Sequence, residues 1–167
     1  MTSALAAVAA TLSIIMVAGM AGTFFGFSTS VMPGLDAARP ASAIDAFKGM
    51  DQKIQNPLFI AMFTLVPVAA IAAGVLLLTL DENSAAVLFF VAAGVYFAGA
   101  LVPTIAINIP MNKALQAVTI PEDASEAAKI WSDHSGRWTT WNTVRTVFCW
   151  ASLLAMSLGV YYWGKNN

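Results

Sequence analysis

Cysteine, histidine and charged residues are all scarce in this sequence. Cys149 is the only cysteine, which excludes an intramolecular disulfide, a thiolate cluster and a CxxC redox motif. His134 is the only histidine, which excludes the usual metal and haem sites that are built from several histidines. The net charge is −1 and the chain has no basic tract, so nothing indicates nucleic-acid binding.

Apolar residues are correspondingly abundant. They make up 59% of the chain, only 10% of the residues are charged, and the mean hydropathy is +0.74. A soluble domain carries roughly 25% charged residues. Because a water-soluble fold of 167 residues cannot bury so much apolar surface, we predict that lipid surrounds much of this protein.

Four apolar stretches are long enough to cross a bilayer core of about 30 Å, which takes about 20 helical residues. They are residues 4–31, 57–80, 85–107 and 141–163. Backbone groups in lipid must be satisfied within their own segment, so each stretch is predicted to be a helix. The short connection 81–84 makes the second and third spans antiparallel neighbours. The sequence therefore predicts an all-α fold: one integral membrane domain, residues 1–167, built as an antiparallel bundle of four transmembrane helices.

The two longer connections, 32–56 and 108–140, lie on one side of this bundle and are predicted to form a partly helical cap. We expect a short helix at 41–54, and a helix from about Ser125 that continues into the fourth span. The cap carries six of the eight basic residues, whereas the opposite side has only Lys165. Positive residues favour the cytoplasmic side, so the cap is expected in the cytoplasm and both termini outside.

Arg145 is the only charged residue within a predicted span. A cation at mid-membrane costs at least ~2.5 kcal/mol on insertion scales, so such residues usually face protein or a wet cavity and mark function. Trp138 and Asn142 lie on the same helical face. Because Arg145 lies only about 6 Å inside the level of Trp141, two interpretations are open: the side chain extends to the headgroups, or it shares a buried partner with Asn142.

Other polar and aromatic residues are predicted at the same depth. Asn108 and Asn112 lie where the third span leaves the membrane. Either Asn108 caps the short helix that follows, or both carboxamides point into one pocket with Arg145. Phe24 and Phe27 are suited to line the cavity of a flat aromatic ligand, although helix packing alone explains them nearly as well.

Four short motifs occur along the chain in a fixed order. They are FSTSVMPGL at 27–35, NPLF at 56–59, NIPMN at 108–112 and WTTWNTVRT at 138–146. In order and spacing, the sequence resembles the small four-helix membrane family of anthrone oxygenases and their bacterial relatives. Relatives often carry a histidine after the asparagine of the last motif, where this chain has Thr143. His134, the only other candidate, is therefore either the base or a solvated surface residue.

The resemblance implies that O₂ oxidises a hydroxylated polycyclic anthrone to an anthraquinone, without a metal, a flavin or another cofactor. Anthrones are carbon acids, and their delocalised enolates can donate an electron directly to O₂. Arg145 and Asn142 would stabilise the oxyanion, and His134 would accept the proton. Asn108 or Asn112 would orient the substrate. The aromatic walls would be Phe24, Phe27, Trp138 and Trp141.

Two hypotheses about function follow. The first is a membrane oxygenase that acts on an anthrone-like or phenolic substrate dissolved in the bilayer. The second is a non-catalytic membrane protein that binds a lipid, a small hydrophobic ligand or a partner protein, with Arg145 holding a lipid phosphate or an internal hydrogen-bond network. The bilayer and a hydrophobic aromatic molecule are the expected partners, and a homo-oligomer is compatible with both hypotheses.

Overall fold

A computed structural model describes residues 1–166 of the chain. Within these residues the backbone is helical and contains no strand. The helices are α1 (Thr2–Asp36), α2 (Pro40–Ile54), α3 (Pro57–Leu78), α4 (Asn83–Ala117) and α5 (Ala124–Asn166). The predicted all-α class is confirmed.

Four of these helices, α1, α3, α4 and α5, are long and apolar enough to cross a membrane. Helix α1 packs against α3 and α5, and α4 packs against the same two helices, so the four form a closed bundle. The protein is therefore an integral membrane protein that crosses the bilayer several times. The short helix α2 lies outside this bundle and packs against α5 and the end of α4.

The N-termini of α3 and α5 lie close to where the sequence predicts them. Asn56 caps α3, because its Oδ1 accepts a hydrogen bond of 3.0 Å from the backbone N–H of Phe59. Asp123 caps α5 in the same way. Hydrogen bonds from the Ser125 hydroxyl and from the backbone N–H groups of Glu126 and Ser125 lower the pKa of Asp123. Helix α5 then runs from the cap through the fourth span without a break, as predicted.

One of the two interpretations of Asn108 is wrong. Its backbone is helical (φ −67°, ψ −42°), and its side chain makes no capping hydrogen bond. Helix α4 continues through this position to Ala117 instead of ending in the membrane. Asn108 therefore lies within a continuous helix, and its carboxamide is not used by the backbone.

Helices α1 and α4 stay continuous across prolines because each contains widened π-helical turns. The turns are 27–31 in α1, and 97–101 and 104–108 in α4. Each ends two residues before a proline, namely Pro33, Pro103 or Pro110. Proline lacks an N–H and clashes with the carbonyl four residues earlier. An extra residue in the preceding turn accommodates that clash, and such turns are frequent at functional sites.

A close approach between α4 and α5 fixes the register of these two helices. A Cβ atom at Gly99 would lie 1.9 Å from Cγ of Phe148, so no larger residue fits there without displacement of the ring. Five residues further along α4 lies Thr104, and three residues before Phe148 lies Arg145. The glycine contact therefore brings Thr104 and Arg145 to the same level of the bundle.

Candidate functional site

A cavity of about 600 Å³ lies where the cap-side ends of the spanning helices meet α2. This volume is within the range of small-molecule sites, roughly 300–1,000 Å³. Most of its wall is aromatic or aliphatic. The aromatic wall residues are Phe24, Phe27, Phe47, Phe59, Phe63 and Trp138.

Arg145 lies in the wall of this cavity and is only 5% exposed. One terminal nitrogen, Nη1, donates to Oγ1 of Thr104 at 3.0 Å, and the other, Nη2, donates to Oδ1 of Asn142 at 2.8 Å. The guanidinium carbon is 4.4 Å from the ring centroid of Phe24 and 5.5 Å from that of Trp138. The side chain is thus held inside the protein by neutral groups and does not extend to the headgroups.

No carboxylate pairs with this cation among the described residues, where the salt bridge is Lys129–Asp133 on the surface. The Nε atom of Arg145 is buried and has no hydrogen-bond partner in the protein. A buried charge is ordinarily paired, since an unpaired one is costly. Arg145 is therefore an uncompensated donor at the wall of an apolar cavity, an arrangement that favours an anionic or strongly polarised oxygen.

Asn142 is fully buried, and its amide hydrogens are already used. Its Nδ2 donates to the carbonyl oxygen of Phe24 and to Oγ of Ser28, both at 2.7 Å. The Ser28 hydroxyl is also 2.9 Å from Oγ1 of Thr143. Asn142 lines the cavity, but its contacts tie α5 to α1 and hold the guanidinium of Arg145 in place.

Asn108 differs from Asn142, because its carboxamide has no hydrogen-bond partner in the protein. The residue is 1% exposed and lines the cavity, yet neither Oδ1 nor Nδ2 makes a hydrogen bond within the protein. An unsatisfied buried polar group costs about 1–3 kcal/mol. A cavity ligand that carries both a donor and an acceptor would satisfy the carboxamide.

A second series of hydrogen-bonded side chains crosses the cap end of the cavity. The indole Nε1 of Trp138 donates to Oδ1 of Asn112 at 2.8 Å, and Nδ2 of Asn112 donates to Oδ1 of Asp51 at 2.5 Å. Nε2 of Gln116 donates to the other carboxylate oxygen of Asp51 at 3.1 Å. Asp51 lines the cavity and is 9% exposed. A carboxylate is therefore held at the cavity wall by oriented donors.

Sequence reasoning missed Asp51, although a signal was present. Ile44, Phe47 and Asp51 follow the spacing of one helical face of α2, and all three are buried. An acidic residue on the apolar face of an amphipathic helix is the pattern that could have identified it. Thr104 and Ser28 were missed as well, because no sequence pattern shows which hydroxyl reaches a neighbouring helix.

The structure brings together seven of the nine predicted site residues at the cavity wall. They are Phe24, Phe27, Asn108, Asn112, Trp138, Asn142 and Arg145. His134 and Trp141 do not line the cavity. The His134 ring is buried and packs edge-to-face on Phe47, with 4.8 Å between the ring centroids, and it is Phe47 that reaches the cavity. Trp141 is half-buried on α5.

The cavity reaches the outer surface at two places. Between α3 and α4 its wall includes Ile60, Thr64, Ile105 and Ile109, whose side chains are exposed on the outside of the bundle. At the cap its wall includes the exposed polar residues Gln52, Gln55 and Lys113. The first opening lies on the apolar outer side of the bundle, and the second lies among polar residues of the cap.

These features define a class of protein: a four-helix integral membrane protein with an aromatic cavity near one membrane face and a buried arginine in its wall. The family model described as anthrone oxygenase matches residues 57–155. The match covers more than half of the chain, and the protein belongs to this family. No curated protein and no solved structure matches the chain.

The matched segment contains α3, α4 and most of α5, and hence Thr104, Asn108, Asn112, Asn142 and Arg145. Helices α1 and α2, including Asp51, lie outside it. Among residues 1–166 there is no group of three or more histidine, cysteine or acidic side chains that could hold a metal ion. The chemistry of the cavity wall is that of two cations (Arg145 and Lys113), carboxamides, hydroxyls, one carboxylate and aromatic rings.

Proposed function

We propose that this protein is a membrane oxygenase that converts an anthrone-like or phenolic polycyclic aromatic substrate into the corresponding quinone with O₂. The observation that carries the proposal is the unpaired Arg145 in the wall of an aromatic cavity, in a member of the anthrone oxygenase family. The cavity suits a flat, apolar ring system with few oxygens. Its aromatic walls supply stacking surfaces, and Arg145 and Asp51 are oriented by hydrogen bonds with neighbouring side chains.

The chemistry asked of the protein is to ionise a carbon acid. Loss of a proton from the methylene carbon of an anthrone gives an enolate whose charge resides largely on the keto oxygen. Arg145 stabilises that oxygen with a preorganised donor in an apolar site, an effect that commonly contributes about 3–4 kcal/mol. Asn142 and Thr104 hold the guanidinium in place. The free carboxamide of Asn108 binds a second oxygen function of the substrate.

The enolate itself supplies the electrons, so the proposed reaction uses no metal and no flavin. One electron passes from the enolate to O₂, and the resulting carbon radical and superoxide combine to a peroxide. Loss of water from the peroxide leaves a carbonyl group at the former methylene carbon. In sum, the methylene group and O₂ give a carbonyl group and water.

The test of this proposal is turnover by the purified protein in lipid nanodiscs, with emodin anthrone as substrate. We expect O₂ consumption and quinone absorbance to rise together, well above the spontaneous oxidation seen with empty nanodiscs. Turnover equal to that background would reject the oxygenase. In that case, native mass spectrometry that finds a lipid retained in the cavity would identify a non-catalytic lipid-binding protein.

A substrate of this kind dissolves in the bilayer, and the opening between α3 and α4 offers it a route to the cavity. We predict that Ile105→Trp, which adds bulk to a side chain that is 64% exposed and also lines the cavity, lowers kcat/KM several-fold. The maximal rate should change little, because the polar groups remain in place. The measurement is a substrate titration in vesicles of fixed lipid content.

Val102→Trp is the matched control for this variant. Val102 lies on the same helix and is 44% exposed, but it is not part of the cavity wall. Its substitution should leave kcat/KM at the wild-type value. If Ile105→Trp and Val102→Trp had the same kinetics, the lateral route would be wrong.

The excess of basic residues supports a cytoplasmic position for the cap, with both termini on the other side. We predict that a membrane-impermeant maleimide labels Thr79→Cys in intact cells but labels Asp45→Cys only after the cells are opened. Both positions are exposed, in the turn after α3 and on α2 respectively. The wild type is the control, since Cys149 is buried. The reverse labelling pattern would invert the orientation.

A further inference from the structure

The proposed oxygenase needs a proton acceptor, and His134 does not line the cavity. Asp51 does, and it is the one carboxylate among the described residues of the cavity wall. Carboxylates act as general bases toward carbon acids when an oxyanion-stabilising group acts on the same substrate. The position of Asp51 in the cavity is therefore the first ground for assigning it this task.

The orientation of the carboxylate is the second ground. Asn112 and Gln116, both on α4, donate to different oxygens of Asp51, and Asn112 is itself held by the indole of Trp138. These two bonds use only part of the acceptor capacity of a carboxylate, which has about four lone-pair sites. A lone pair remains to take a proton from a molecule in the cavity.

The spacing along α4 of the residues that hold Arg145 and Asp51 is the third ground. Thr104, which binds Arg145, and Asn112, which binds Asp51, lie eight residues apart on α4, or about two helical turns. In an anthrone, the keto oxygen and the acidic methylene carbon are on opposite sides of the central ring. One ring system can therefore contact Arg145 at its oxygen and Asp51 at its methylene group.

We propose that Asp51 accepts the proton that leaves the substrate's methylene carbon, an inference that rests on the oxygenase function proposed above. The C–H bond breaks, the electron pair stays on the ring system, and the proton moves to a carboxylate oxygen of Asp51. After O₂ has taken up the electrons and bonded to the carbon, the peroxide takes the proton from Asp51. Water leaves, the carbonyl group forms, and Asp51 is again a carboxylate.

The test compares Asp51→Asn and Asp51→Ala with Asp45→Asn, an exposed acid on the same helix. We expect Asp51→Asn to lower kcat by roughly 10²–10⁴-fold, the usual contribution of a general base. The affinity for the quinone product, followed by tryptophan fluorescence, should stay near that of the wild type. The kinetic isotope effect with substrate deuterated at the methylene carbon should increase. Asp45→Asn should match the wild type in each measurement.

Chemical rescue separates a base from a merely structural carboxylate. Gln52 and Gln55 of the cavity wall are exposed at the cap, so we expect formate to enter there and to raise the turnover of Asp51→Ala in a concentration-dependent way. Formate should not change Asp45→Ala or the wild type. Wild-type turnover in Asp51→Asn, or Asp51→Ala that binds quinone but gains nothing from formate, would overturn the assignment while leaving the oxygenase intact. A wild type without turnover would instead refute the oxygenase itself.

Discussion

Replacing Arg145 with methionine should lower turnover with an anthrone by roughly 10²–10³-fold, the usual cost of losing one oxyanion donor. The fold should survive, because the variant removes the cost of burying an unpaired charge, which offsets the loss of the donor to the buried Oδ1 of Asn142. Methionine also fills irregular space between apolar side chains. The thermal midpoint in detergent should therefore stay close to that of the wild type while activity is lost. Stopped-flow measurement of quinone formation, together with thermal melting, checks both parts.

Two further variants make the result specific to the guanidinium. Arg145→Lys keeps the charge but cannot donate to Thr104 and Asn142 from a planar fork, so we expect an intermediate rate. Val147→Met introduces the same residue two positions away on the exposed side of α5, and it should behave as the wild type. A folded Arg145→Met variant with wild-type turnover would remove the arginine from the mechanism.

The small change in stability expected for Arg145→Met indicates that Arg145 does not serve to stabilise the fold. Arg145 is buried with neutral partners and an unused Nε, so the fold gains little from its charge. Groups that are costly to bury and poorly satisfied are typical of functional sites, where stability is given up for activity. The same reasoning applies to Asn108, whose carboxamide is buried without a partner. The two residues are the least satisfied polar groups of the cavity wall and, on the oxygenase proposal, the two that bind substrate oxygens.

Much of the fold followed from the sequence because bilayer thickness sets the length of an apolar helix. Four long apolar helices overlap the four predicted stretches, the cap helix predicted at 41–54 is observed at Pro40–Ile54, and α5 passes from the cap into the fourth stretch without a break. The family was also identified correctly from four motifs. The ends of α1 and α4 were not predicted, since these helices continue past the apolar stretches to Asp36 and Ala117, within the predicted cap segments. The polarity of the sequence does not mark where these helices end, because a helix in the cap can contain polar residues.

Residues of the cavity wall could be predicted together only where they lie on one face of a single helix. The spacing of Trp138, Asn142 and Arg145 on α5 gives their common face directly. Which neighbour lies opposite that face depends on the widened turns before Pro33, Pro103 and Pro110, which rotate α1 and α4 relative to a regular helix. The sequence shows the prolines but not how the chain accommodates them, since Pro67 in α3 is followed and preceded by ordinary helix.

In the cap, too, the sequence does not show which side chains reach the cavity, as His134 and Asp51 illustrate. His134 was predicted to act as the base because it was the remaining histidine, a reason drawn from residue chemistry alone. Its position one turn before Trp138 points it toward Phe47 and not into the cavity. Asp51, on the apolar face of α2, occupies the place in the wall that the histidine was expected to take.

Asn142→Leu should have the largest effect on stability, in contrast to Arg145→Met. The asparagine donates to the Phe24 carbonyl and to Ser28 of α1 and accepts from Arg145, so its loss leaves partners on two helices unsatisfied. A hydrogen bond between membrane helices contributes only about 0.6 kcal/mol on average. An unsatisfied buried group costs about 1–3 kcal/mol, and more when it is charged. We therefore expect the free energy of unfolding to fall by about 2–4 kcal/mol.

The double variant Asn142→Leu with Arg145→Met decides why the asparagine matters for stability. If the main cost of Asn142→Leu is a cation left without its acceptor, removal of that cation should restore part of the lost stability, because groups in direct contact are not additive. Asn83→Leu, at an exposed asparagine, is the control and should change the melting temperature little. Equal melting temperatures for Asn142→Leu and the double variant would mean that the contacts with α1 dominate. In that case Asn142 fixes the position of α5 against α1, and the orientation of Arg145 follows from that contact.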